Sequence, residues 1–233
     1  MLEIDSLHAY YGKSHVLEGL SLNVSSDEIV ALMGRNGAGK TTTIRSILGF
    51  VPRVEGMIEF DSNSIIHEPP ENVFNHGITW IPERRRIFSN LTVADNIRMG
   101  MTPDTETEQV KRVYDLFPRL DERRSQQAGT MSGGEQQMLA IARALTSDPD
   151  LLLVDEPFEG LMPTLIPEIA EVLGDLGSEG MAMLIADQKA KATLDLADRV
   201  YVIERGSIVV SDTPDRLRED DAIREQYLGV RSQ

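Results

Sequence analysis

Eight residues, Gly34-Arg35-Asn36-Gly37-Ala38-Gly39-Lys40-Thr41, fit G-x-x-x-x-G-K-[ST] at every fixed position. Glycines so spaced let successive backbone N–H groups turn inward around phosphate oxygens, and the dipole of a helix starting there adds to the attraction. Lys40 would reach the outer phosphates of a nucleotide, and the Thr41 hydroxyl would coordinate Mg²⁺. Two further candidates, Asp155 and Glu156, follow the apolar run Leu151-Leu152-Leu153-Val154. A buried strand ending in two carboxylates sets both at the C-terminal edge of a sheet, where open α/β sheets bind ligands. There Asp155 would hold the metal through water as partner of Thr41. Glu156 would polarise an attacking water as general base. An acid pair at a strand end is usually just solvated, and it is the phosphate loop upstream that gives this one a task.

A third group is Ser132-Gly133-Gly134-Glu135. Ser132 and Glu135 have capping-box spacing, so a helix should start here, with Met138, Ile141, Ala142 and Leu145 on one face. A plain cap leaves the two first-turn glycines unexplained, since each costs about 1 kcal/mol relative to alanine. Glycines there keep the helix N-terminus open for an anion. This helix cannot serve the phosphate held by the first loop unless another chain is involved.

These groups need a scaffold that brings strand ends and helix starts together. Leu2 to Leu7, Leu20 to Val24 and Gly56 to Phe60 read as strands, and Ile29 to Met33 as a strand buried on both faces. The last of these runs straight into the glycine loop, after which Thr42 to Leu48 reads as helix. From 82 to 150 the pattern turns helical, at Val93 to Arg98, Glu108 to Phe117 and Glu135 to Leu145, and this reads as a helical lobe inserted into an α/β core formed by 1–81 and 151–233. In the second half, Pro167 to Leu176 reads as helix and Met181 to Ala186 as strand. Val200 to Ile203 and Ile208 to Val210 form a hairpin, and Thr213-Pro214 opens a final helix.

Composition narrows the setting. The 233 residues carry 23 basic and 38 acidic side chains, a formal charge of −15. That sign argues against non-specific nucleic-acid binding, which needs basic surface to displace counterions. There is no cysteine, so disulfides and Cys-based zinc sites are excluded. No apolar run approaches the roughly 20 residues that cross a bilayer. Met1 to Asp5 alternates like a strand rather than a signal peptide, and the expectation is a cytoplasmic protein. Five lysines stand against 18 arginines. An acidic, lysine-poor chain fits a salty, halophilic cytoplasm, and an ordinary acidic protein is the alternative.

The phosphate loop, Ser132-Gly133-Gly134-Glu135-Gln136 and Asp155-Glu156-Pro157, in this order, resemble an ABC-type ATPase subunit over nearly the whole chain. The resemblance implies a P-loop NTPase core, a RecA-like mostly parallel sheet with flanking helices, joined to an N-terminal antiparallel β part and the helical lobe. It implies ATP and Mg²⁺ as cofactors and a head-to-tail dimer that sandwiches two ATPs. Each ATP would sit between Gly34, Arg35, Asn36, Gly37, Ala38, Gly39, Lys40, Thr41 and Thr42 of one chain and Ser132, Gly133, Gly134 and Glu135 of the other. Tyr11 would stack on adenine, although alone it reads more often as a packed strand aromatic. Glu159 to Pro163 would link the two sites.

Pro82-Glu83-Arg84-Arg85-Arg86-Ile87-Phe88 and Ala186-Asp187-Gln188-Lys189 resemble motifs of an ATPase subunit of branched-chain amino-acid importers. That implies a sister ATPase (or a second copy) as partner, two membrane permeases above it at the cytoplasmic face, and an external substrate-binding protein. Related urea or short-chain amide importers remain open, as does a soluble ABC ATPase without a transport role. Several positions depart from the family's pattern, among them Phe158-Glu159 in place of the usual small residues before Gly160. Glu83 stands where most members have glutamine, as a candidate metal ligand and catalytic group. Gln188 replaces the usual switch histidine, and can donate a hydrogen bond to a γ-phosphate but cannot act as a charged acid. Arg84 replaces a glycine, and the resulting arginine run is either a solvated face or a contact with the permease.

Overall fold

The computed structural model describes residues 1–103, 105–188 and 190–220. The chain begins with β1 (Leu2–Tyr11) and β2 (Ser14–Val24), then β3 (Ile29–Met33), α1 (Lys40–Ile47), β4 (Arg53–Phe60), β5 (Asn63–Ser64), α2 (Pro70–Asn75) and β6 (Ile78–Ile81). Helices α3 (Val93–Arg98), α4 (Thr107–Leu116), α5 (Pro118–Asp121) and α6 (Gly133–Leu145) follow. The chain continues through β7 (Leu151–Asp155), α7 (Ile166–Ser178), β8 (Ala182–Asp187), α8 (Ala190–Leu196), β9 (Arg199–Glu204), β10 (Ser207–Asp212) and α9 (Pro214–Glu219).

Two sheets form. β2-β1-β4-β5 is antiparallel, and β10-β9-β3-β8-β7-β6 is parallel except for its β10 edge. The central strands of the second sheet, β3, β7 and β8, read as near-continuous apolar runs because both faces are covered, and every residue of them is buried. One core lies between the antiparallel sheet, α1 and one face of the parallel sheet, with Leu7, Leu17, Ile44, Ile47 and Phe60 at its centre. A second fills the opposite face, where α6 and α7 pack with Leu139, Ile141, Phe158 and Leu173. Helix α6 is buried beyond the face that its spacing indicates, since Leu139 and Ala140 are inside as well.

Several elements differ from the sequence reading. β2 begins six residues earlier than Leu20, at Ser14, and α1 begins at Lys40 rather than Thr42. The short elements α2, β5, β6, α5 and α8 carry too little periodicity to read from sequence. Thr213 occupies the N-cap position of α9, but its hydroxyl makes no capping bond; its own N–H is held instead by the Asp212 carboxylate at 2.8 Å. The β9–β10 hairpin turns through Arg205 and Gly206, both at positive φ, the backbone that matches strand twist. Of the histidines, His8 (β1) and His15 (β2) face each other at 3.0 Å across strands, and His76 pairs with Glu68.

Candidate active site

The parallel register sets the C-terminal ends of β3, β7 and β8 side by side: Met33 lies opposite Asp187, and Asp155 opposite Ala186. The glycine loop leaves β3 at this edge and turns into α1. Gly37 (φ 80) has nothing within 4 Å of where a side chain would stand, which is open space for a ligand. Gly39 (φ 123) is constrained doubly, because a Cβ there would meet Leu17 Cδ2 at 2.7 Å.

Lys40 is buried, its amine donating to Gly34 O at 2.9 Å and pairing with Glu156 Oε1 at 3.0 Å. The Thr41 hydroxyl donates to Asp155 Oδ1 at 3.1 Å. Burial pushes the Asp155 carboxyl up to about 6; Glu83 adds to the rise and the Thr41 hydroxyl opposes it. Burial also pushes Glu156 up to about 7, against the pull of Lys40 and with the nearby Asp187 carboxylate adding to the rise. Glu156 holds a left-handed backbone (φ 51) that its N–H secures by donating to Ala186 O at 2.7 Å. Local strain of this kind persists where the surroundings over-determine a geometry. Among the described residues, Glu156 Oε2 is buried without a hydrogen-bond partner.

Asn36, Gly37, Gly39, Lys40, Thr41 and Glu156 line a cleft of about 410 Å³ with Thr42, Glu83, Glu159 and Gln188 on its walls, and Asp155 stands behind Thr41, hydrogen-bonded to its hydroxyl. A polyphosphate fits this arrangement: N–H groups and one amine on one wall, carboxylates on the other, and a buried acceptor waiting for a donor. Among the described residues, no three His, Cys, Asp or Glu side chains are grouped to hold a metal by themselves. A magnesium ion here would need the Thr41 hydroxyl, substrate oxygens and water beside Asp155, which is how this ion is usually held.

Two sequence candidates stand apart. Tyr11, at the end of β1, is 37% exposed and does not line the cleft, whereas Val16 does. Ser132 to Glu135 lie outside it too. The capping box is present, with Ser132 N–H donating to Glu135 Oε2 at 2.9 Å and Ser132 Oγ accepting from Glu135 N–H at 3.4 Å. The two glycines differ: a side chain at Gly134 would collide with Leu165, so that one is fixed by packing, while Gly133 is exposed. Lys189, next to Gln188, lies outside the described residues.

Sequence reasoning missed Arg85. Its Nε donates to Gln137 Oε1 at 3.2 Å, and its guanidinium lies 3.4 Å from where a Cβ of Gly133 would stand. Arg85 and Arg86 both adopt positive φ, and Arg143 clamps their carbonyls with bonds of 3.3 and 2.9 Å. The three arginines are therefore not one solvated face, because Arg85 ties the Glu83 loop to the start of α6.

Residues 17–159 match the ABC transporter family. The chain belongs to that family. As an ABC subunit it binds ATP and hydrolyses it in the service of transport. It is 44% identical to the high-affinity branched-chain amino acid transport ATP-binding protein BraG of Pseudomonas aeruginosa, over 98% of this chain and all of that protein. It is 35% identical to the lipopolysaccharide export system ATP-binding protein LptB of Haemophilus influenzae, over 98% of this chain and 97% of LptB. The ADP conformation of an ATP-binding cassette of an ABC transporter superposes with a TM-score of 0.83 at 25% identity, covering 97% of both chains. Among the described residues, no helix of this ABC subunit is long and apolar enough to cross a membrane.

Proposed function

We propose that this chain is the ATPase subunit of an importer for branched-chain amino acids, seated peripherally on permeases at the cytoplasmic face of the membrane. The observation that carries the reading is the 44% identity to BraG along the full length of both chains. In this reading the N–H groups of Gly34 to Gly39 cradle the ATP phosphates and Tyr11 faces adenine. Lys40 leaves Glu156 for the outer phosphates when ATP enters. Magnesium, when bound, neutralises phosphate charge, and Thr41, Asp155 and Glu83 are the residues to hold it. Glu156, freed of Lys40, takes a proton from the attacking water, and the Gln188 amide donates to the γ-phosphate.

Ser132, Gly133, Gly134 and Glu135 close on the nucleotide of a second ATPase, either a sister subunit or another copy. The cleft supports this division, since it holds the phosphate-loop residues and leaves the α6 start facing outward. The permease contact falls on the surface beside the arginine loop. There Phe88 is exposed under the Arg143 guanidinium at 5.3 Å, with exposed Met99 and Met101 close by. An apolar patch rimmed by arginine suits a loop of a membrane partner better than solvent.

The test is uptake of labelled leucine, isoleucine and valine in cells of its own host lacking this chain. Uptake should return with the wild-type chain and not with Lys40→Ala. Restoration of urea or amide uptake without amino-acid uptake would overturn the substrate assignment.

A further inference from the structure

β8 ends in Asp187, and the next residue, Gln188, lines the cleft. Asp187 is fully buried, and both of its carboxylate oxygens accept hydrogen bonds: Oδ2 from the Thr193 hydroxyl at 2.7 Å, and Oδ1 from the Gln188 N–H at 2.6 Å. Thr193 lies on α8 and is itself fully buried. Valine has the same shape and would enter this position without bringing a polar atom inside. A buried hydroxyl is retained at such a place when its hydrogen bond has a task, because a buried donor must be matched. The acceptor here belongs to the residue between two members of the site: the Glu156 N–H is fixed on Ala186 O just before it, and the Gln188 side chain stands just after it.

We propose that Thr193 is a positioning residue for ATP hydrolysis, holding the Asp187 carboxylate so that the Gln188 backbone is fixed and its amide faces the cleft. The proposal rests on the reading of Gln188 as a γ-phosphate donor. Thr193 touches no substrate. It acts by ordering a turn that joins β8 to α8, so its loss should disturb the rate of the chemical step and leave ATP binding alone. In the proposed reading ATP is held chiefly by the glycine loop and Lys40, which follow β3 rather than β8.

The experiment measures phosphate release, ATP affinity and melting temperature for the full chain and for Thr193→Val, Thr193→Ser, Gln188→Ala and the Thr193→Val/Gln188→Ala pair. The expected result for Thr193→Val is a kcat lower by about 3- to 10-fold, the worth of one hydrogen bond, with KM and ATP affinity within about twofold. Thr193→Ser, which keeps the hydroxyl, should restore kcat. The pair should be no slower than Gln188→Ala alone, because both changes act on one group. If Gln188→Ala is slow while Thr193→Val turns over at the wild-type rate, the inference is overturned and the role of Gln188 stands. If Gln188→Ala turns over at the wild-type rate, the role of Gln188 and the inference fall together. Multiplying losses in the pair would also overturn it, as would a Thr193→Val defect that serine does not rescue. Should Thr193→Val not fold, Thr193→Ala against Thr193→Ser carries the same comparison.

Discussion

Replacing Asp155 with asparagine should stabilise the nucleotide-free protein at neutral pH while destroying its activity. Asp155 lies at the end of β7, buried, with its carboxyl pushed up to about 6. In the unfolded chain the same group titrates near 3.9. Between these values the folded state holds a proton that the unfolded state has released, so stability falls as pH rises through this window. The difference is about 2 units, and at 1.36 kcal/mol per unit the ionised carboxylate costs the folded state up to about 3 kcal/mol above pH 6. Asp155→Asn removes the charge but keeps a carbonyl oxygen able to accept the Thr41 hydroxyl, so the local geometry is preserved. Glu156, raised as well, contributes a slope of the same sign in both proteins and cancels in the comparison. For a chain of this size each kcal/mol moves the melting temperature by about 2–4 °C. Melts in chelator and without nucleotide should therefore coincide near pH 4 and separate by about 6–12 °C at pH 7.5, with the asparagine variant higher. Parallel curves across the range would refute the burial argument, as would a less stable variant at pH 7.5.

Lys40→Ala should abolish ATP binding or nearly so, because the amine lies against the glycine loop, donating to Gly34 O, and supplies a full positive charge to the phosphates; a titration with a fluorescent ATP analogue checks this. With ATP and Mg²⁺, Glu156→Gln should elute as a dimer on size exclusion while the wild-type chain does not. A variant that binds ATP yet stays monomeric at high concentration would indicate obligate pairing with a different sister subunit. Melting temperature and ATPase rate should both rise between about 0.1 and 2 M KCl, since a charge of −15 repels itself and at 1 M salt the Debye length is about 3 Å. A flat or falling response in both would end the salt-adapted reading.

The phosphate loop, the strand carrying Asp155 and Glu156 and the capped start of α6 were all legible in the sequence, and for a common reason. Each is specified within a dozen residues, by glycine spacing, by an unbroken apolar run or by a reciprocal cap. The pairing order of the parallel sheet follows from no local signal, yet it is this order that sets Asp187 beside Glu156. The Thr193–Asp187 bond, the Lys40–Glu156 pair and the Arg85–Gln137 contact span 6, 116 and 52 positions. Nothing in the spacing of those residues marks them as partners. Gly134 has a second reason to be glycine that its spacing does not show: a side chain there would meet Leu165, a neighbour 31 residues away. Short elements such as β6 and α5 escape for a simpler reason, since four residues are too few to display a period.

The proposed role of Glu156 is the hinge of the chemistry: its carboxylate pairs with Lys40, and in the proposed reading it meets the attacking water once ATP has drawn Lys40 away. Phosphate release and ATP affinity measured side by side for the wild-type chain and Glu156→Gln test it most directly. The expected result is ATP bound as tightly as by the wild type or more so, with turnover lowered by about 10²-fold or more, the scale of a lost general base. Turnover by Glu156→Gln within a few-fold of the wild type, with ATP bound normally, would contradict the assignment of the cleft.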